Sequence, residues 1–200
     1  SLITTTLQNA IRQDKLAQAF LFCGPRGVGK TTCARILAKA INCPNFGESM
    51  EPCNNCQSCN DFNSGVSLNI FELDAASNSS VDDTRELIRQ VSIPPQTGKY
   101  KVYIIDVVHM LSTSAFNSLL KTLEEPPEYA KFILATTEKN KIIPTILSRC
   151  QIFDFKRISM QDIVDHLEYV AKSEGVSYER DALSLIARHA EGGMRDALST

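Results

Sequence analysis

Gly24-Pro25-Arg26-Gly27-Val28-Gly29-Lys30-Thr31 reads G-x-x-x-x-G-K-T without a mismatch, and its flanks narrow what the chain can fold into. Ahead of it lies Ala19-Phe20-Leu21-Phe22-Cys23, an apolar run of strand length. Behind it, Thr32 to Ile41 places its apolar residues at helical spacing. Strand, Gly-rich turn and helix in this order form the context in which the motif works as a nucleotide phosphate loop. Across Gly24 to Thr32 the backbone N–H groups, which every residue but Pro25 carries, are expected to turn inward on phosphate, and the helix N-terminus adds the positive end of its dipole. Lys30 is expected to reach the β- and γ-phosphates and the Thr31 hydroxyl to ligate Mg²⁺.

The rest of the chain supplies the partners such a loop needs. Asn69 to Ala75 reads as a second strand and Val81 to Ile93 as a helix stopped by Pro94-Pro95. Lys101-Val102-Tyr103-Ile104-Ile105-Asp106 is a nearly unbroken apolar run ending in a carboxylate, and Lys131 to Thr137 is another ending in two hydroxyls. Such runs alternating with helices indicate a parallel sheet covered on both faces. A carboxylate at the C-terminal end of a strand faces the ligand crevice of that architecture. An Asp in this place can also be a turn former or helix cap; the phosphate loop upstream favours Asp106 as the second half of a Mg²⁺-nucleotide site, acting through the metal or its water. A helix from about Thr113 to Glu124, a short one from Ile142 to Leu147 and a last strand from Gln151 to Phe155 follow. Beyond Arg157 three amphipathic helices are expected, the first opened by the capping box Ser159-x-x-Asp162 and the last carrying Arg195. The expected division is therefore 1–156 for the α/β nucleotide-binding domain and 157–200 for a helical lid.

Cys43, Cys53, Cys56 and Cys59 share a turn-rich segment spanning 43–59. Two C-x-x-C steps on one loop can close a tetrahedral Zn²⁺ shell without help from elsewhere. A redox pair and free thiols are the alternatives. The first lacks its βαβ setting, and the second would leave exposed thiols open to oxidation. Cys23, Cys33 and Cys150 read as small buried hydrophobes. A net charge of −2 over 200 residues excludes a surface that is basic as a whole, so any DNA contact must be local or supplied by assembly. Lys139 and Lys141 read as no more than solvated charges. No apolar run approaches the roughly 18 residues that a membrane-spanning helix requires, and no signal-peptide pattern is present, so a cytoplasmic chain is expected.

Gly24 to Thr31, the four-cysteine insertion, Asp74-Ala75-Ala76-Ser77, Leu119-Leu120-Lys121-Thr122-Leu123-Glu124-Glu125-Pro126-Pro127, Leu134-Ala135-Thr136-Thr137, Ser148-Arg149-Cys150 and Gly193-Met194-Arg195-Asp196-Ala197-Leu198 occur in this order. With them the chain resembles the gamma/tau clamp-loader subunits of bacterial DNA polymerase III, which are AAA+ ATPases, over essentially its whole length. The resemblance implies a RecA-like α/β domain with a three-helix lid and ATP between them. It also implies a cycle in which ATP binding drives opening of a sliding clamp on primer-template DNA and hydrolysis releases both, with other clamp-loader subunits and the replicative polymerase as partners. Position by position it implies that Thr136 or Thr137 senses the γ-phosphate, with Thr137 preferred. Arg195 reaches that phosphate from the lid, and Arg149 is the finger acting on ATP held by a neighbouring subunit.

Two departures alter the expectation. The family writes Asp-Glu-x-His where this chain has Asp106-Val107-Val108-His109, and Val107 can neither orient nor deprotonate water. General-base participation contributes about 10²–10⁴-fold, so ATP binding with hydrolysis reduced by that order is expected; a non-hydrolysing structural subunit is the alternative. A phosphotransferase would need an acceptor signature, and none is apparent. His109 is read as packing. The family's upstream adenine-holding segment and its helical collar are also missing, so these 200 residues are expected to be monomeric or weakly associating.

Overall fold

The computed structural model describes residues 2–47, 49–77 and 81–200. Ser1, Glu48 and residues 78–80, which the expected domain and cysteine-loop spans include, lie outside them. Five strands, β1 (Ala19–Cys23), β2 (Ile70–Asp74), β3 (Lys101–Asp106), β4 (Ala130–Thr136) and β5 (Gln151–Asp154), form one sheet in the order β2-β3-β4-β1-β5. Every pairing is parallel. The helices are α1 (Leu2–Arg12), α2 (Lys30–Asn42), α3 (Gln57–Asn63), α4 (Val81–Val91), α5 (Thr113–Glu124), α6 (Pro144–Leu147), α7 (Met160–Ser173), α8 (Arg180–His189) and α9 (Met194–Ser199).

Strand side chains alternate between two faces, and the central strands are apolar on both. Ala19, Leu21, Tyr103, Ile105, Phe132 and Leu134 join one core with residues of α4, α5 and α6, while Phe20, Phe22, Val102, Ile104, Ile133 and Ala135 join the other with α1 and α2. Ser112 and Ser159 cap α5 and α7 by accepting the N–H groups of Ala115 and Asp162. Ile163, Val164, Leu167, Leu183, Ala187, Ala190 and Ala197 bring α7, α8 and α9 together around a third, separate cluster.

Most strand and helix ends lie within a residue or two of the sequence-based expectation. The cysteine segment departs from it. Rather than a loop throughout, it contains α3, with the Cys56 sulfur accepting the N–H of Cys59 at the helix start. Cysteine in place of Ser or Asp as a cap is why the helix signal was faint.

Tyr103 is fully buried, its ring stacked between Phe71 and Phe132 at centroid distances of 5.3 and 5.4 Å. Its hydroxyl has no partner among the described residues, and burial pushes its pKa up. A buried hydroxyl without a partner costs about 1–3 kcal/mol in lost hydration. Tyr103→Phe keeps the ring stack and is expected to raise the unfolding free energy by about 1 kcal/mol; urea denaturation of the two proteins measures it.

Candidate functional site

A parallel sheet aligns the C-terminal ends of its strands, and here β1, β3 and β4 deliver their following residues to one cleft of about 1490 Å³. Arg26 to Thr32 form its floor. Gly24, at φ +148°, is required by close approach: a Cβ there would run into the Phe155 carbonyl oxygen beyond β5. Gly27, at φ +78°, lets its own carbonyl accept the N–H of Met194 at 2.9 Å, which ties the phosphate loop to the start of α9. Lys30 is 7% exposed, and its Nζ donates to the carbonyls of Gly24 and Pro25 at 2.7 and 2.6 Å. Burial holds its pKa below the ordinary lysine value, the Asp106 carboxylate opposes that shift and Arg195 adds to it.

Thr31 and Asp106, one at the start of α2 and the other at the end of β3, meet directly. The Thr31 hydroxyl donates to Asp106 Oδ2 at 2.5 Å, and the N–H of Val107 donates to Oδ1 at 2.8 Å. Two oxygens side by side at the mouth of a phosphate loop are the donor set a hard divalent cation takes from protein. Thr136, Thr137 and Arg195 line the same cleft, with Thr136 1% exposed and Thr137 exposed. Gly24 and Pro25 shape the loop from behind and are not part of the cleft wall. Arg149 is not on that wall either: it donates to the Thr145 carbonyl at 2.7 Å and to Glu124 at 3.1 Å on the outer surface.

The cysteine segment is a second centre. The Sγ atoms of Cys43, Cys53, Cys56 and Cys59 all lie within 4.8 Å of one another. A tetrahedral Zn²⁺ with Zn–S bonds of about 2.3 Å places its sulfurs roughly 3.8 Å apart, so the four thiols fit such an ion with a small contraction. Backbone N–H groups, that of Asn55 foremost, lower the Cys53 pKa to about 6, while burial raises Cys59 to about 12 and also raises Cys43.

Sequence reasoning missed three features. His109 is not inert packing, because it lines the cleft and bonds Thr136 and Glu138. Lys139 and Lys141 are ion-paired with Asp154 and Glu138. Leu2, Ile36 and Leu198, exposed by 85, 50 and 50%, form an apolar wall of the cleft; their signal in the sequence was an apolar residue on the outer face of an otherwise amphipathic helix.

The strand order, the phosphate loop after β1, the acidic end of β3 and a helical lid touching the loop define the AAA+ ATPase class. In keeping with that fold, the RuvB Holliday junction branch migration motor of Thermotoga maritima superposes with a TM-score of 0.68 at 21% identity, covering 98% of this chain and 57% of its own. A DNA polymerase III gamma subunit-related protein of the same organism gives a TM-score of 0.54 at 20% identity over 94% of this chain and 58% of its own. Residues 1–159 match the family described as DNA polymerase III, delta subunit, and residues 162–200 match the ATPase lid domain of the DNA polymerase III clamp loader subunit. The chain belongs to this DNA polymerase III clamp-loader family. It is 54% identical to the tau subunit of Bacillus subtilis and 48% identical to that of Escherichia coli, over 98% of its own length in both. It spans about a third of these relatives, 35% and 30% of their lengths.

Val107 lies at φ 52°, ψ 39°, the left-handed region. For a β-branched residue this is an outlier that costs of order 1–3 kcal/mol. Val107→Asn is expected to raise stability by about 1 kcal/mol, since Asn tolerates this region; thermal and urea unfolding of the pair would expose a contrary result.

Proposed function

We propose that this chain binds Mg²⁺-ATP and works as the nucleotide-driven subunit of a clamp loader. The observation that carries the reading is the convergence of Lys30, the Thr31–Asp106 pair, Thr137 and Arg195 on one cleft floored by the phosphate loop. Lys30 neutralises phosphate charge, with loop N–H groups beside it. Thr31 and Asp106 hold Mg²⁺, which when bound offsets the charge on the terminal phosphates. Thr137 donates to the γ-phosphate, and Arg195 reaches it from α9. The apolar wall of Leu2, Ile36 and Leu198 suits the flat face of a purine. The separate hydrophobic cluster of α7, α8 and α9 supports dividing the chain into 1–156 and 157–200, with the lid moving on the ligand.

Arg149 acts on the nucleotide of a neighbouring subunit; its place on the outer surface, away from this cleft, supports action in trans. Other clamp-loader subunits, the sliding clamp, primer-template DNA and the replicative polymerase are then the partners, in the bacterial cytoplasm. No described helix is long and apolar enough to cross a membrane. The four cysteines hold a structural Zn²⁺ away from the cleft. Val107 leaves the cleft without a carboxylate at the water-activating position, so ATP is bound and turned over slowly.

Mg²⁺-ATP calorimetry and single-turnover hydrolysis, on this chain and on Val107→Glu within a complete loader with clamp and primed DNA, test the reading. Equal binding is expected, with hydrolysis about 10²–10⁴-fold faster for Val107→Glu. Equal rates would mean another group activates water, and absence of binding would leave the structural-subunit alternative. Metal analysis is expected to find one zinc per chain, lost together with helical signal around α3 on chelation; four freely titrating thiols without metal would refute the zinc site.

A further inference from the structure

We propose that His109 is a positioning residue of the nucleotide cleft: it holds the Thr136 hydroxyl from one ring nitrogen, is held by Glu138 from the other, and thereby sets the end of β4 so that Thr137 faces the terminal phosphate. This rests on the nucleotide-binding reading above.

The His109 ring lines the cleft, yet its side chain is only 6% exposed. Nδ1 lies 2.8 Å from Thr136 Oγ1, and Nε2 lies 3.2 Å from Glu138 Oε2. Lys141 binds that same oxygen at 2.9 Å and fixes the carboxylate. The hydrogen positions follow from the partners. An ionised carboxylate only accepts, so Nε2 carries the hydrogen; in the neutral ring Nδ1 is then the acceptor, and the Thr136 hydroxyl donates to it. Thr136 Oγ1 also accepts the Glu138 N–H at 2.9 Å, and the Thr136 carbonyl accepts the Gly24 N–H at 3.2 Å.

The consequence is a division of labour between adjacent hydroxyls. Thr136 has spent its one hydrogen on His109 and is 1% exposed. Thr137 is exposed to the same cleft and makes no side-chain hydrogen bond among the described residues, so its hydrogen remains for a ligand. Because Thr136 also receives the first N–H of the phosphate loop, the His109 anchor holds loop and strand end in one register.

Two readouts on this chain decide the matter. In the first, ¹⁵N NMR of the histidine-labelled protein with the ring neutral is expected to show His109 with Nε2 protonated and Nδ1 bare; a protonated Nδ1 overturns the assignment whether or not nucleotide binds. In the second, Mg²⁺-ATP and Mg²⁺-ADP affinities are compared. His109→Ala is expected to lower the melting temperature, because the buried Thr136 hydroxyl loses its partner, and to weaken ATP binding about tenfold more than ADP binding, because one hydrogen bond to a charged oxygen is lost. His109→Asn, whose amide oxygen can take the place of Nδ1, is expected to restore the preference, and His109→Gln, which mimics Nε2, is not. An unchanged ratio in His109→Ala, or an equal loss for both nucleotides, overturns the proposal. A wild-type chain that binds neither nucleotide overturns the function proposed above and, with it, the role of Thr137 at the phosphate.

Discussion

A parallel sheet buried on both faces sends all of its strand C-termini to the same edge, and the cleft residues contributed by the phosphate loop, β3 and β4 depend on that geometric constraint. β1 ends in the phosphate loop, β3 in Asp106 and β4 in the two threonines, and the order β3-β4-β1 makes those endings neighbours. The hydrogen bond from Thr31 to Asp106 is the local expression of this arrangement: it joins residues 75 apart in sequence across the cleft. Such proximity costs chain entropy that only the two apolar cores can offset, which explains why the central strands are apolar on both sides.

The lid is linked to this edge by backbone hydrogen bonds. Its helices are held together by their own apolar cluster, while the N–H of Met194 reaches the Gly27 carbonyl in the middle of the phosphate loop. A Cβ at Gly27, where φ is +78°, would come within 3.3 Å of the Gly193 Cα, so the contact favours glycine at position 27. A ligand that engages the loop therefore engages the lid, and it can shift the lid only to the extent that it binds one arrangement better than another.

Much of this was legible in the sequence because the relevant signals are local. The phosphate loop carries its own flanks, the strands are runs of apolar residues, and a carboxylate or hydroxyl at a strand end is placed by the sheet itself. The grouping of the four cysteines was legible through its spacing, whereas Arg195 was singled out only by the family resemblance. The His109 contact was not legible, because it joins the turn after β3 to the end of β4, and no spacing rule brings residues 27 apart together. The apolar wall was hidden for a different reason: Leu2, Ile36 and Leu198 look like ordinary exposed hydrophobes until three separate helices bring them to one cleft.

Val107 separates two tasks that the same short turn would otherwise share. Its backbone, not its side chain, aims Asp106, because the N–H of residue 107 donates to Oδ1 and leaves Oδ2 for Thr31. That donor exists whatever side chain occupies the position, and the left-handed conformation that delivers it persists here with a β-branched residue that disfavours it. The surrounding structure therefore imposes the turn: Val108 is fully buried, Met110 donates its N–H back to the Val107 carbonyl, and His109 is anchored at both ring nitrogens. Replacing a carboxylate with an isopropyl group at such a site removes a chemical group from the cleft without dismantling the donors on either side of it. On the function proposed above, the half of the site that would hold a cation keeps its donors whatever side chain stands at the position proposed to activate water.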